Sequence, residues 1–409
     1  MAVGIRSIHL AFMQYIILRH RIEPQEEQSD MLREISKSHE IWLLSQDNIT
    51  SGNHAIYQIT GLATLFLINQ KPYPVKYIEK NLTNLIALAF DGNYVSSENS
   101  PFYHKYNIDI LSRIPTEILP SELEEKVHSV LANAKKITKW LTAPNGEFYR
   151  IGDTEGDGEK LTSKDVALEG YSTTEKTICK DLGSSGYQIV RSHPDQPVEK
   201  SYALVFRGAA SSLVHAHCDA LSFILHCGGD EIFSDPGKYT YEYGEDRKWF
   251  ISDASHNTAG IRGVNFSPEQ VDKNSTEITP IKIIDHNYIL SGRTLKGAKL
   301  NHSRTIIIND HDSITILDEI INPTDTPSEI RLFLGPEITI LGATLKDSNG
   351  RAYEIEITGD LLEIKYFSPE ESNGWISKEY GKKTKTGSII INVKPGITQT
   401  KTKISLPLL

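Results

Sequence analysis

Val214-His215-Ala216-His217-Cys218-Asp219-Ala220-Leu221-Ser222-Phe223 is the densest cluster of chemistry-bearing side chains in this chain. Two later segments echo it: Phe233-Ser234-Asp235-Pro236-Gly237-Lys238-Tyr239-Thr240-Tyr241 and Ser255-His256-Asn257-Thr258. On a strand, residues i and i+2 point to the same face, so the first segment predicts His215 and His217 side by side on one strand. Two imidazoles, a carboxylate from Asp235 and a third imidazole from His256 make an N and O donor set that suits zinc or another divalent ion. Any one of these histidines alone reads as a satisfied core or surface residue. The four residues together, in Asp-Pro-Gly and His-Asn-Thr contexts, carry the metal reading.

Outward from this cluster the pattern is one of short alternating or β-branched runs. They are Tyr187–Val190, Tyr202–Phe206, Leu221–His226, Ile281–Ile284, Arg304–Ile308, Ser313–Ile321, Ile330–Leu334, Tyr353–Ile357, Leu362–Tyr366 and Ser388–Val393. Strands at this spacing, with almost no helical periodicity, predict large antiparallel sheets packed as a β-sandwich. Upstream, from about residue 4 to 142, apolar residues recur at helical spacing with polar breaks near 22–28, 46–52, 70–76, 91–101 and 114–121, which predicts about six helices. In one of them Ser51 is placed as N-cap, Ile56, Ile59, Leu62, Ala63 and Phe66 form one apolar stripe, and Asn53 and His54 fall in the first turn. Residues 143–185, rich in Gly, Asp, Thr and Ser, read as a long connection. The expected organisation is a helical domain over 1–165 and a β-rich domain over 166–409.

Composition limits the function. The 409 residues are 39% hydrophobic and 23% charged, as in an ordinary globular protein with room for two cores. A formal net charge of −10 argues against nucleic-acid binding through the overall field, so an anionic ligand would need a local basic patch. The three cysteines, Cys179, Cys218 and Cys227, form no CxxC pair and read as buried thiols. No run of about 18 apolar residues offers a membrane span. The first residues have Arg6 and His9 inside a short apolar stretch and no small-residue cleavage site, so no signal peptide is visible.

A cupin-type metal site is a rival assignment for the histidine cluster. It would place a Glu a few residues after the second His, where this chain has Asp219 only two residues on, and it has no use for the helical part in front. The helical part adds Asn53-His54 and Glu98-Asn99-Ser100-Pro101-Phe102-Tyr103-His104-Lys105-Tyr106. Taken singly, these read as helix-start residues and a core or rim aromatic.

Taken in order, Ser51-Gly-Asn-His, Asp91-Gly-Asn-Tyr with Glu98-Asn-Ser-Pro-Phe-Tyr-His, Pro144-Asn-Gly with Arg150-Ile-Gly-Asp-Thr, and His215-Ala-His-Cys-Asp with Asp235-Pro-Gly-Lys-Tyr and Ser255-His-Asn-Thr resemble the successive signatures of heparinase II/III-like polysaccharide lyases. The resemblance covers about residues 5 to 265. It implies an α+β multidomain fold, an incomplete (α/α) toroid followed by an antiparallel β-sandwich. It further implies a structural Zn2+ held by His217, Asp235 and His256, a catalytic set of Asn53, His54, Tyr103 and His215, and an acidic polysaccharide as substrate in a bacterial periplasmic or secreted setting. Lyases of this group usually carry more helical sequence before the Asn-His motif than the roughly 50 residues here.

Cleaving a 4-linked uronate by β-elimination requires removal of a weakly acidic C5 proton, so the adjacent carboxylate must be neutralised and donors placed where charge develops. Asn53, assisted by His54, suits that role. Tyr103 is the expected acid and His215 the alternative base, the choice depending on the epimer cleaved. Lys105, Arg150, Arg207, Lys238, Arg247 and Lys248 are candidate cations for a polyanion groove, although each alone is an ordinary surface charge. Tyr239 and Tyr241 either stack on sugar or pack inside. Two other readings compete. One is a carbohydrate-binding or surface-polysaccharide assembly protein that has lost turnover. The other is a hydrolase, for which Glu98 with Asp153 is the one carboxylate pair that stands out. Oligomeric state is not written in the sequence.

Overall fold

A computed structural model of the chain describes residues 1–407 except 73, 272, 298, 310 and 311. The chain divides into two compact units, one of Met1–Ser97 with His104–Ile137, the other of Glu98–Tyr103 with Thr138–Leu409. Among the described residues no helix is long and apolar enough to cross a membrane.

The first unit is built from α1 (Ala2–Arg19), α2 (Glu26–Leu44), α3 (Gly52–Ile68), α4 (Val75–Ala89), and most of α5 (Pro101–Leu111) and α6 (Ser121–Trp140). Each helix begins or ends at one of the polar breaks seen in the sequence. The centre is α3, whose expected stripe of Ile56, Ile59, Leu62, Ala63 and Phe66 is buried, together with much of its other face. α1 crosses α3 at glycine: a Cβ on Gly4 would lie 2.4 Å from Tyr57 O, and one on Gly61 would lie 2.5 Å from Gly4 O. Backbones this close leave no room for a side chain. Ser51 does occupy the N-cap position of α3, but its side chain makes no capping bond. Gln58 does related work two turns on, accepting from Thr50 N and donating to Asn48 O.

The second unit opens with α7 (Ser163–Leu168) and a five-stranded antiparallel sheet in sequence order: β1 (Thr177–Leu182), β2 (Tyr187–Ser192), β3 (Tyr202–Arg207), β4 (Phe223–Cys227) and β5 (Asp230–Phe233). After α8 (Glu245–Ile251) come β6 (Ala259–Ile261), β7 (Glu277–Ile284), β8 (Asn287–Lys296), β9 (Leu300–Asn309), β10 (Ser313–Asn322) and β11 (Ser328–Phe333). Then follow β12 (Thr339–Leu341), β13 (Thr344–Lys346), β14 (Ala352–Gly359), β15 (Leu361–Phe367), β16 (Gly374–Glu379), β17 (Lys382–Thr386), β18 (Ser388–Val393) and β19 (Gly396–Ser405). They make an eight-stranded sheet ordered β12-β13-β14-β19-β10-β9-β8-β7, a four-stranded sheet ordered β15-β18-β11-β6, and the β16-β17 hairpin. The named strand pairs are antiparallel, as expected.

One apolar core joins the three larger sheets, with Leu204, Leu225, Ile306, Ile316, Ile330 and Ile391 among its members. Strands β9 and β19 alternate buried and exposed residues, the mark of a sheet with one solvated face, whereas β3 is buried along its whole length. Residues 138–170 pack with this unit. The buried Trp140 donates to Glu169 Oε1 at 3.0 Å, and Lys180 reaches the other oxygen of that carboxylate at 2.7 Å. The stretch read as a long connection therefore contains α7 and β1 and is stitched to the sheet.

Candidate active site and metal centre

His215 and His217 do not sit on a strand. The chain from 208 to 222 is a loop between β3 and β4, and His215 has φ of 56°, in the left-handed region that a non-glycine residue seldom adopts. The expected same-face pairing is replaced by another arrangement. The two imidazoles take opposite oxygens of one carboxylate, His215 Nδ1 at 3.0 Å from Asp153 Oδ2 and His217 Nε2 at 3.1 Å from Asp153 Oδ1.

The loop is held in this shape by Asn99, which is 1% exposed and itself at φ 55°. Its amide donates to Ser212 O (2.9 Å), Ser212 Oγ (3.1 Å) and Val214 O (3.0 Å), and its carbonyl oxygen accepts from Ser211 N (2.8 Å) and Arg207 (3.4 Å). Next to it, Ser100 Oγ meets Thr154 Oγ1 at 2.7 Å, accepts from Tyr103 N at 3.4 Å, and precedes Pro101 at the first position of α5. Gly152 closes the junction. At φ 57°, a Cβ there would lie 2.6 Å from both Asn99 O and His215 O. Three sequence-distant loops, 98–103, 151–154 and 211–217, thus converge within the second unit.

Tyr103 and His215 meet face to face at that junction, ring centroids 3.6 Å apart and planes 9° from parallel. Tyr103 Oη lies 2.7 Å from Tyr241 Oη, which lies 3.2 Å from His215 Nδ1. His215 Nε2 faces Glu98 Oε2 at 3.4 Å, so Glu98 and Asp153 flank one imidazole rather than a glycosidic bond. Arg247 on α8 grips Asp153 with both terminal nitrogens, at 2.5 and 3.0 Å. Lys238, bound to Glu155 Oε1 at 2.8 Å, sits over four rings including those of Tyr103 (5.8 Å) and Tyr241 (5.1 Å).

The electrostatics follow from these contacts. Burial alone would raise the Asp153 carboxyl, but hydrogen bonds from His215, His217 and Arg247 outweigh it and hold the group far below the usual carboxylate range. The ionised Asp153 faces His215 Nδ1, while Nε2 of the same ring faces Glu98. Burial raises the Tyr103 hydroxyl, countered in part by the hydrogen bond from Tyr241. Tyr241 is raised by burial, by Asp153 and by Tyr103 itself. Either hydroxyl of the pair can donate to the other.

Beside the junction His217, Asp235 and His256 converge, each offering one ligand atom within 4.8 Å of the others, all three residues buried. His256 Nδ1 bonds Asp235 Oδ2 at 2.7 Å, and that carboxylate outweighs burial to raise the imidazole. Three atoms of the trio, His217 Nδ1, Asp235 Oδ1 and His256 Nε2, are buried with no hydrogen-bond partner. Orphaned buried donors and acceptors cost free energy unless something binds them, and two imidazole nitrogens with a carboxylate oxygen fit a divalent ion of the zinc type. The next residue, Asn257, ties the floor together: its amide donates to Phe223 O and Ser234 O and its oxygen accepts from Phe333 N.

The remaining candidates fall elsewhere. Asn53 and His54 lie in the first turn of α3 in the first unit, Asn53 half-buried and His54 exposed. Lys105 is on α5, paired with Asp109 one turn away. Arg207 is not a groove cation: it is buried, bonded to Asp219 and Gly186 O, with its guanidinium 4.4 Å from the Tyr187 ring centroid. Arg150 is likewise buried between Glu147 and Glu231. Tyr239 packs on Phe250, whereas Tyr241 joins the site and is 44% exposed. Lys248 is exposed and pairs with Glu245. Asp153 and Asn99 carry the geometry and were not assigned these roles from sequence. Their signals were present in the Arg150-Ile-Gly-Asp-Thr and Glu98-Asn-Ser-Pro segments.

Fold and site together define a member of the heparinase II/III-like proteins: residues 174–406 match the family described as heparinase II/III-like, C-terminal, and the chain belongs to that family. Among solved structures it is similar to heparinase III, with a TM-score of 0.79, 15% identity, 99% of this chain and 69% of that one covered. A second heparinase III gives 0.73 at 16% identity, covering 92% and 63%. The heparan sulfate lyase HepC from Pedobacter heparinus gives 0.67 at 15%, also covering 92% and 63%. The chain thus spans 63% of the length of the latter two, and at these identities the likeness is one of fold. No curated protein sequence matches the chain.

Proposed function

We propose that this protein is a polysaccharide lyase that cleaves a uronic-acid-containing acidic polysaccharide by β-elimination. The observation that carries the reading is the stacked Tyr103–His215 pair, joined through Tyr241 and oriented by an ionised Asp153, in a chain of the heparinase II/III-like family. An imidazole stacked on a phenol supplies the base and the acid that elimination needs and that hydrolysis by paired carboxylates does not.

In the reaction the C5–H bond breaks, its electron pair forms the C4–C5 double bond, and the C4–O4 bond breaks with the proton going to O4. Tyr103, protonated at neutral pH because burial raises it, is the acid that protonates O4. His215 Nε2 takes the C5 proton when it lies on the opposite side; when it lies on the same side, Tyr103 serves both steps, entering as the phenolate, taking the C5 proton and handing it to O4. Asn53, with His54, neutralises the uronate carboxylate so that enolate-like charge can develop. Tyr241 and Arg247 border this chemistry, the first hydrogen-bonding the acid and the second fixing Asp153.

His217, Asp235 and His256 hold a zinc ion in this reading. When bound it supplies a fixed cross-link between the His215 loop, the segment after β5 and the segment before β6, with no part in proton transfer. The helical unit corresponds to an incomplete (α/α) toroid, the sheets to a β-sandwich, and the setting to the bacterial periplasm or exterior. The test is ultraviolet absorbance over time on heparan sulfate, hyaluronan, chondroitin, alginate and bacterial capsule. Wild type produces the conjugated unsaturated uronate from at least one polymer, and Tyr103→Phe lowers the rate by about 10²–10⁴-fold with the fold unchanged. Absence of a rise on every polymer, or full activity in Tyr103→Phe, defeats the proposal.

A further inference from the structure

The face of the four-stranded sheet carries a second concavity, of about 1170 Å³, none of whose lining belongs to the Tyr103–His215 junction or the metal trio. Adjacent strands build it row by row. Ser388 on β18 pairs with Phe333 on β11 and Phe367 on β15, Ile390 with Arg331 and Lys365, and Asn392 with Glu329 and Glu363. Alternate residues of a strand share a face, so these rows form one continuous floor. Trp249 from α8 and Trp375 from β16 line it as well. The Trp249 ring stands nearly perpendicular to Phe333, centroids 6.0 Å apart, and Trp375 is braced by Lys383 and Lys385 at 4.7 and 5.6 Å.

We infer that this groove binds an oligosaccharide segment of low charge, at a site separate from the catalytic one. Three observations carry it. Five aromatic rings interleaved with amide, carboxylate and guanidinium groups match the alternating apolar faces and hydroxyl rims of pyranose rings. Asn392, 4% exposed, lines the groove, and its buried Oδ1 has no hydrogen-bond partner. Its ionisable lining is balanced, five acidic side chains against four basic. Three of those cations are already engaged, Arg331 with Glu329 at 3.2 Å, Lys248 with Glu245 at 2.8 Å and Lys365 with Glu363 at 3.1 Å. A densely sulfated chain finds no free cationic row there, whereas a saccharide with no more than one carboxylate per disaccharide does not need one. The volume exceeds the roughly 300–1,000 Å³ typical of single small ligands, which favours an oligomer. α8 joins the two sites, with Arg247 on Asp153 and Trp249 in the groove.

The saccharide class rests on the lyase reading, while the groove rests on its own lining, and the two are tested apart. Tryptophan fluorescence of the full chain is titrated with chitohexaose, a heparosan hexasaccharide and a heparin hexasaccharide, in a Tyr103→Phe background that suppresses turnover. Saturable quenching by chitohexaose or heparosan is expected, at least tenfold tighter than by heparin. Trp375→Ala and Tyr243→Ala each weaken it at least tenfold without lowering the melting temperature. Tyr243 is 86% exposed, so its variant keeps the test valid should Trp375→Ala fail to fold. No saturable response to any of the three, a preference for heparin, or binding unchanged in both variants overturns the inference. Elimination is read separately by absorbance, so either proposal can fail while the other stands.

Discussion

Replacing Asn99 tests the junction most directly, because this side chain touches no reacting atom yet holds the loop that carries His215. In Asn99→Ala, the bonds to Ser212 O, Val214 O and Ser211 N, all 2.8–3.0 Å, disappear. Ser211, Ser212 and Val214 are half-buried or exposed, so water can re-pair them, and each lost bond then costs its net value of about 1 kcal/mol rather than full desolvation. The three together cost about 3 kcal/mol. Alanine at φ 55° adds roughly 1 kcal/mol, since the left-handed region disfavours any Cβ while asparagine tolerates it. The expected loss is therefore about 4 kcal/mol for Asn99→Ala and about 3 for Asn99→Gly, which keeps the backbone term relaxed. Urea denaturation of wild type and both variants measures it. A cost below about 1 kcal/mol for alanine, or glycine no better than alanine, would refute the reasoning.

Three further outcomes follow from the described contacts. Gly152→Ala should yield little folded protein, because its Cβ would lie 2.6 Å from two carbonyl oxygens and its φ is 57°; normal expression and melting would count against the three-loop junction. Elemental analysis of chain purified without chelator should find about one zinc-type ion per molecule, and stripping it should lower the melting temperature by several degrees, with no metal retained by His256→Ala. A metal-free wild type with unchanged melting would remove the metal reading. His104 accepts from Ser96 N at Nδ1 and donates to Ala134 O from Nε2, so the fold holds it neutral, and burial lowers it to about 4 from an ordinary 6.5. Its folded value lies below its unfolded one, so the unfolded chain binds more protons between those limits. Stability then falls by about 3 kcal/mol as pH drops from 6.5 to 4, and His104→Gln should flatten that part of a denaturation-versus-pH curve.

Much of this was legible in the sequence, and the failures have physical causes. The six helices were readable because polar breaks interrupt a 3.6-residue period, and each predicted strand overlaps an observed one. β19 was missed because its inward face is Thr398, Thr400, Thr402 and Ile404, a hydroxyl row that hydropathy does not register as core. The division between Ile137 and Thr138, rather than near 165, reflects packing by Trp140 and Glu169 that composition cannot show. His-x-His reads as a strand by spacing, yet Asn99, 113 residues from Ser212, bends it into a loop. Residue type offered His215, His217, Asp235 and His256 together, and the resemblance implied the narrower trio of His217, Asp235 and His256, whose ligand atoms converge. Asp153 lay in a glycine-rich stretch with Glu155, Asp157 and Glu159, where nothing in the sequence singles out the one acidic residue that meets both imidazoles.

The hexapeptide 98–103 belongs with the β-rich unit although helical chain flanks it on both sides. This makes the body that holds the Tyr103–His215 junction non-contiguous. A fragment cut at 138, or at the 174–406 limits of the family match, would keep His215 and the metal trio but discard Glu98, Asn99 and Tyr103. Such a fragment would carry half of the stacked Tyr103–His215 pair on an unclamped loop. Grafting or domain-swapping experiments must therefore transplant two separated pieces of chain, and a new connection joining residue 103 to residue 138 would be the smallest change that turns them into one continuous segment.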